Sequence, residues 1–401
     1  MNNPFADYAG SEFVQIENMY AASVFGPARN KEMFFGRDEL IKNIINSLTT
    51  TNTKCIVLYG QKKSGKSSVL YHLEQQLKEH DVFCVRFSLG EIIAESLTSA
   101  AFFYKIIVTI KRKLEEISQG GTTPKIACPT LSELEESGSL AAIETLQNFQ
   151  KSCKETQAWE HKRLIVMIDE FTYLYTAILK KEISDSFMKN WKNIIETGLF
   201  NAVLVGQDVM PKFQARYSNE FGVAGNIRLS YLDTVSAQQL IERPVWDKQR
   251  DRSRYLGESV AKIIDLTAGS PYYIQIFCNQ LVKYMNAREK ICVTEADIRE
   301  VTEELVSGNN ALDAMCFDGL LTAGDADLEE IPANDTIKVV QEIAKMSEKH
   351  GYCSRKDINV LGPAKDDQII QDLERRKVLV VPQTNFYKIA VQLFQKWLLK
   401  H

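Results

Sequence analysis

Tyr59-Gly60-Gln61-Lys62-Lys63-Ser64-Gly65-Lys66-Ser67-Ser68 is the stretch that decides how this chain folds. The apolar run Cys55–Tyr59 reads as a buried strand, while Val69, Leu70, Leu73 and Leu77 on the other side recur at helical spacing. Between strand and helix, Gly60 to Ser67 is a full match to G-x-x-x-x-G-K-[ST]. The residue types follow from phosphate chemistry. Glycines let the backbone amides of Gln61, Lys62, Lys63 and Ser64 curl round a β-phosphate, and the helix N-terminus behind them adds a positive dipole. Lys66 is placed to reach β- and γ-phosphates, the Ser67 hydroxyl to ligate Mg²⁺, and Ser68 follows as a further binding residue.

Working outward, short β-rich runs alternate with helical periodicity through the first 230 residues, the pattern of a parallel sheet covered by helices. The expected strands are Cys55–Tyr59, Val82–Phe87, Leu164–Ile168, Ala202–Val205 and Ile227–Leu229. Glu91 to Lys162 is too long for one crossover helix. Phe102, Phe103, Ile106, Ile107, Ile110 and Leu114 mark one helix, a surface loop is expected near Ser118 to Lys125, and further helices run from Leu131 to Trp159. The third strand ends in Asp169-Glu170, at the edge where open α/β sheets place ligands. With the phosphate loop present, Asp169 suits Mg²⁺ held through water, and Glu170 suits a general base that polarises the attacking water. An apolar strand running out into an acidic loop is the plainer reading of that pair by itself. ATP is favoured over GTP, because no Asn-Lys-x-Asp guanine-reading motif occurs.

Composition narrows the classes further. The 401 residues carry 48 Lys+Arg against 52 Asp+Glu, a net charge of −4, and 45% are hydrophobic. That excludes disorder, collagen-like repeats and a strongly basic nucleic-acid coat. Met1 to Gly10 lacks a signal-peptide pattern, and no apolar stretch approaches the ~18 residues of a membrane span. A cytoplasmic protein with no membrane partner is expected. Eight scattered cysteines without a Cys-x-x-Cys pair read as reduced, mostly buried thiols, and neither they nor the five histidines offer zinc spacing.

Beyond Ala237 the pattern is helical to Leu321, and Thr322–Asp335 reads as a linker. The last residues then give a helix (Thr336–Lys349), a short helix after Ser354, a third helix (Lys365–Arg376), two β runs (Val378–Val381 and Phe386–Ile389) and a closing helix (Val391–Leu399). That order is a winged-helix arrangement. The expected domains are an N-terminal extension (1–30), a core (31–236), a helical lid (237–321), a linker (322–335) and a winged helix (336–401). Residues 331–401 hold 12 Lys+Arg against 8 Asp+Glu, so phosphate contact is permitted there. Against it stands the third helix, whose first turn, Lys365-Asp366-Asp367, would repel a duplex, while Arg375-Arg376-Lys377 reads as compensation of a helix C-terminus. Duplex DNA is therefore the less favoured partner.

With Phe34-Phe35-Gly36-Arg37-Asp38-Glu39-Leu40 ahead of the phosphate loop, the chain resembles the STAND branch of the AAA+-like ATPases. The resemblance implies a P-loop NTPase α/β fold, a three-layer αβα sandwich followed by a helical lid and a winged-helix domain, with ATP and Mg²⁺ as cofactors. It implies that Phe35, Gly36 and Arg37 line the base and ribose; a loop with Asp38 capping a helix is the alternative. Gln207, ending the fourth strand, matches the place of a γ-phosphate sensor, or is an ordinary polar strand end. Leu266-Thr-Ala-Gly269-Ser-Pro271 looks like the Gly-x-Pro element of STAND lids, where the proline packs on the nucleotide; the sensor arginine of replication initiators is missing from this helix. Arg216 and Arg228 are available as an arginine finger, and each also suits a surface ion pair. The implied function is a nucleotide-controlled switch that forms a homo-oligomer and acts through a partner effector protein, as in bacterial antiviral or conflict signalling. The alternative is a DNA-handling ATPase resembling transposition regulators or replication initiators.

Overall fold

In the computed structural model, residues 12–24, 26–50, 53–93, 97–118, 122–324 and 331–401 are described. Met1–Gly10, the middle of the loop near Ser118 to Lys125 and part of the 322–335 linker lie outside them. All five expected strands form, in one parallel sheet of order β2-β3-β4-β1-β5, with helices packed in the α/β arrangement. They are β1 (Cys55–Tyr59), β2 (Val82–Ser88), β3 (Arg163–Asp169), β4 (Asn201–Gly206) and β5 (Ala224–Arg228). The central strands are near-continuous apolar runs because both faces are covered.

The described residues sort into two compact units. One comprises Glu39–Gly60 and Val69–Leu229 and holds the sheet. Its core is filled by the helix Ser99–Ser118, whose Phe102, Phe103, Ile106, Ile107, Ile110 and Leu114 are buried as their spacing predicts, together with Phe171, Phe187 and Trp191. Phe102 meets Phe187 edge-on at 5.0 Å and Trp191 at 5.9 Å, so these rings form a single aromatic layer. Each fully buried ring of this kind contributes roughly 1.5–3 kcal/mol.

The other unit comprises the residues up to Asp38, Gln61–Ser68 and Ser230–His401. Its core runs from Ile16, Tyr20 and Ala28 through the helices Thr234–Glu242, Ser259–Thr267, Pro271–Ala287 and Glu295–Ser307 to Phe317, Phe394 and Leu398. The segment before Lys31 is tied in by side chains: the Asn286 amide bonds Ile16 in both directions at 2.8 and 2.9 Å, and the Tyr20 hydroxyl donates to Ile241 O at 2.7 Å. At its end, the helix Ala333–His350, the helix Pro363–Arg375, β7 (Leu379–Gln383), β8 (Phe386–Ile389) and the helix Gln392–Leu398 follow in the expected order, and a short strand that was not expected, β6 (Cys353–Ser354), precedes the second helix. The three strands make an antiparallel sheet of order β6-β8-β7. The short helix expected after Ser354 is only a 3₁₀ turn, Arg355–Asp357, closed off by extended Ile358.

Two readings of charge in this region are corrected. Asp366 does not face solvent: it is fully buried, and its carboxylate accepts the amides of Val360 and Leu361 at 3.0 and 3.1 Å. Asp367 pairs with Arg355. Asp366 is thus withdrawn from any duplex, while Asp367 stays exposed beside its arginine. Arg376 likewise does more than balance a helix dipole. It is 1% exposed, its guanidinium donates to the carbonyls of Leu320 and Thr322 at 3.0 and 3.2 Å, and its Nε donates to Asp372 at 2.7 Å. Burial pushes the Asp372 carboxyl up, but Arg376 and Arg375 outweigh it and hold it below the ordinary value.

Three cysteines are buried and five half-buried, all as free thiols; burial pushes Cys55 and Cys278 up to about 12. No helix among the described residues is long and apolar enough to cross a membrane.

Candidate functional site

The phosphate loop leaves β1 at Tyr59 and opens the helix Lys66–Leu77. Its shape depends on left-handed backbone at Gly65 (φ 93°) and at Lys63 (φ 64°), with Gly60 at φ 158°. Lys63 is the exception to the glycine rule, and its side chain is anchored: Nζ lies 2.6 Å from the Tyr272 hydroxyl and 4.1 Å from the centre of that ring. Lys62 Nζ pairs with Asp318 at 2.8 Å, and the Gln61 amide donates to the Arg376 carbonyl at 2.6 Å. Lys66 Nζ donates to Gln61 O at 2.6 Å. Gln61, Lys62 and Lys63 are thus fastened to the C-terminal module, to the segment around Asp318 and to the helix Pro271–Ala287. Gly319 shows how close the fit is, since a Cβ there would stand 3.0 Å from Lys62 Cβ. The cavity where this loop meets Ser270, Tyr272, Tyr273 and Gly319 measures about 10 Å³, room for one water.

The loop fits a nucleotide's phosphates on its own evidence. Ser64 Oγ is buried with no hydrogen-bond partner among the described residues, as expected of a donor shaped for an anion, and the helix N-terminus beyond Lys66 supplies further amides. Ser67 and Asp169 are hard oxygen donors, the kind Mg²⁺ takes. Ser68 Oγ accepts the amide of Ala28 at 2.9 Å, bringing in a segment, Pro27-Ala28-Arg29, that the sequence reading left unassigned.

Of the residues assigned to base and ribose, Phe35 is half-buried against the helical core. Gly36 (φ 72°) is required by contact, because a Cβ there would lie 2.3 Å from Ser236 Oγ. Arg37 donates to the Ser230 carbonyl; burial lowers its proton affinity and Asp233 opposes that. Pro271 is the first residue of the lid helix, where its missing N–H costs nothing.

In the sheet unit, Asp169 and Glu170 stand at the C-terminal end of β3. Asp169 Oδ1 accepts the Glu170 amide at 2.9 Å. Glu170 adopts left-handed backbone (φ 57°), a strain of roughly 1–3 kcal/mol for a non-glycine residue and a common mark of functional positions. Its Oε2 accepts the hydroxyl of Ser88, at the end of β2, a contact that the sequence reading missed. The signal was the small pair Ser88 and Gly90 straight after an apolar strand. Gln207 follows β4, buried, and its Oε1 has no hydrogen-bond partner among the described residues. The two arginines go elsewhere: Arg228 pairs with buried Asp208 at 3.3 Å, and Arg216 lies 3.4 Å from Asp185. The Tyr217 hydroxyl and Arg216 hold the Asp185 carboxyl below its ordinary value.

A family model described as novel STAND NTPase 1 matches residues 23–313. No curated protein matches the chain in sequence. Among solved structures, a Walker-type ATPase of Pyrococcus abyssi is similar over 94% of this chain and 99% of its own, at 16% identity and a TM-score of 0.58. Cdc6p from Pyrobaculum aerophilum covers 96% of this chain and 98% of its own at 13% identity and a TM-score of 0.44. The RuvB Holliday junction branch migration motor of Thermotoga maritima covers 90% and 94% at 10% identity and a TM-score of 0.43. At such identities likeness speaks of fold alone, and the first of the three carries it.

Proposed function

The chain belongs to the novel STAND NTPase 1 family, and from that premise we propose that it is a slow, Mg²⁺-dependent ATPase working as a nucleotide-controlled switch. One observation carries the reading. The three residues after Gly60 in the phosphate loop are bonded to the lid helix, the Asp318 segment and the C-terminal module, so loading of phosphate at Lys66 must rearrange bonds that hold those elements.

In this reading Lys66 and the loop amides hold β- and γ-phosphates, and Ser67 and Asp169 hold Mg²⁺, which when bound neutralises charge on the phosphates. Glu170 takes a proton from water, whose oxygen attacks the γ-phosphorus while the bond to the bridging oxygen breaks and ADP leaves. Gln207, buried just after β4, senses the γ-phosphate by donating from its side-chain amide. Arg216, exposed and paired with Asp185, serves as the finger toward a neighbouring copy. The C-terminal module is a winged helix in an intramolecular role, and the loaded state assembles into a homo-oligomer that signals through a partner effector, as in antiviral defence.

A second reading, a DNA-handling ATPase, gains from the burial of Asp366, which withdraws one of the two carboxylates from the surface of that helix start. Steady-state ATP hydrolysis with and without duplex DNA, with Glu170→Gln as the blank, separates the two. Slow, Glu170-dependent turnover indifferent to DNA is expected. Strong stimulation by DNA would transfer the case to the second reading, and ATP bound equally well by Lys66→Ala would sink both.

A further inference from the structure

In the unit with the helical core, a groove of about 920 Å³ is lined by the helices Ser259–Thr267 and Glu295–Ser307, by β8 and by the helix Gln392–Leu398. Its floor is apolar: Leu266 and Ile389 are buried, Ile264 is half-buried, and Val380 is left 50% exposed. Its charged lining is mainly cationic, with Lys262, Arg299, Lys388 and Lys396 against Asp265 and Glu303. Lys262 pairs with Glu295, whereas the exposed side chains of Lys388 and Lys396 have no ion pair among the described residues. Thr302 is satisfied by the Ile298 carbonyl at 2.7 Å, and no buried polar side-chain atom without a partner lines the groove among the described residues. A small polar ligand needs such convergent groups. Long cations over an apolar floor instead suit a helical surface that brings its own leucines and carboxylates.

This chain carries such a surface on its other unit. There the helices Leu131–Ser137 and Ser139–Glu155 pack on each other and on the helix Ser99–Ser118, and residues 131–150 hold four glutamates and no lysine or arginine. Glu135 and Glu144 are exposed with no ion pair among the described residues, and each lies one turn beyond an exposed leucine, Leu131 or Leu140, so acid and leucine share a face. Leu140 is 71% exposed, apolar area that a contact would take from water. We infer that the acidic helix pair of one copy docks in the cationic groove of the next. The two patches differ, so the contact is head-to-tail, each copy giving one patch and receiving the other. The inference rests on the oligomeric switch proposed above and names its contact. The groove belongs to the unit that also holds Gln61–Ser68, so phosphate loading and docking draw on the same packed elements.

The test is sedimentation velocity of the full chain with Mg²⁺ and a non-hydrolysable ATP analogue. It compares the parent, Lys388→Glu/Lys396→Glu, Glu135→Lys/Glu144→Lys and an equimolar mixture of these two variants. The parent should assemble, and less strongly as salt rises. Each double variant alone sets like charges together and should need a roughly tenfold higher concentration to assemble, at unchanged affinity for the analogue. The mixture should recover the parent's assembly, because each reversed patch then meets its opposite. Leu140→Ser should weaken assembly roughly tenfold through lost burial, with the salt dependence kept. Variants that assemble like the parent, or a mixture no better than its components, overturn the inference and leave the oligomeric switch standing. Reversals that lower unfolding stability without moving assembly assign the two patches to a contact within one chain and overturn it as well. A parent that stays monomeric with the analogue bound overturns the assembly reading and the inference with it.

Discussion

The phosphate loop and the acidic end of β3 carry equally complete motifs, but they are held in different ways. The loop's intervening residues reach across hundreds of positions in sequence: Gln61 to Arg376, Lys62 to Asp318, Lys63 to Tyr272. Asp169 and Glu170 are held by their own sheet, through Ser88 and Leu89 of the adjacent strand and its turn. The motif residues identify each place, while the fastening differs between them. On the proposed reading, nucleotide loading would answer to the helical and C-terminal elements, and Glu170 to the sheet.

The largest effect expected from breaking this contrast is at Arg376. Its guanidinium is buried and bonded to the Leu320, Leu321 and Thr322 carbonyls and to Asp372. Arg376→Ala strands those acceptors and one carboxylate, which should cost about 3–5 kcal/mol in the unit that contains it. Denaturant unfolding followed by a probe in the C-terminal module measures the loss. A cost below about 0.5 kcal/mol, the size of an ordinary surface change, would show that the module does not depend on this residue.

How much of this was legible in the sequence follows the same division. The sheet strands were readable because a strand buried on both faces is an apolar run of limited length, and Cys55–Tyr59 has the same bounds in the structure. The loop and the Asp-Glu pair were readable because phosphate chemistry fixes residue types at fixed spacing. The contacts of Gln61, Lys62 and Lys63 were not, since the motif leaves those positions free and their partners lie far off in the chain. Asp366 misled for a related reason: in a sequence, a carboxylate in a first helical turn looks the same whether it meets solvent or the amides of Val360 and Leu361. Arg376 looked like its exposed neighbour Arg375, and only packing separates them.

A smaller effect sharpens the claim that the loop answers to elements beyond the sheet. Lys62 and Asp318 pair at 2.8 Å with a third to a half of each side chain exposed, so solvent screens much of the attraction. Asp318→Ala should raise ATP affinity about two- to threefold, by releasing one fastening for well under 1 kcal/mol. Titration with a fluorescent ATP analogue at two salt concentrations checks it, with the gain shrinking at high salt. Unchanged affinity at low salt would mean that the pair is a passive surface contact and that Lys63 and Gln61 hold the loop without it.

The finest distinction is one of pH. Because Arg376 and Arg375 hold Asp372 below its ordinary carboxylate value against the upward push of burial, this group binds fewer protons folded than unfolded. Its contribution is therefore fully present above the unfolded value near ~3.9, and fades as pH falls through the lower folded value. At neutral pH Asp372→Asn should be less stable than the parent, and the gap should begin to close as pH falls below about 4. Urea midpoints at successive pH values give the difference curve. A gap that stayed constant down to pH 2 would mean that Asp372 matters to Arg376 as a hydrogen-bond acceptor and not as a charge, since Asn keeps a carbonyl oxygen where the carboxylate stood.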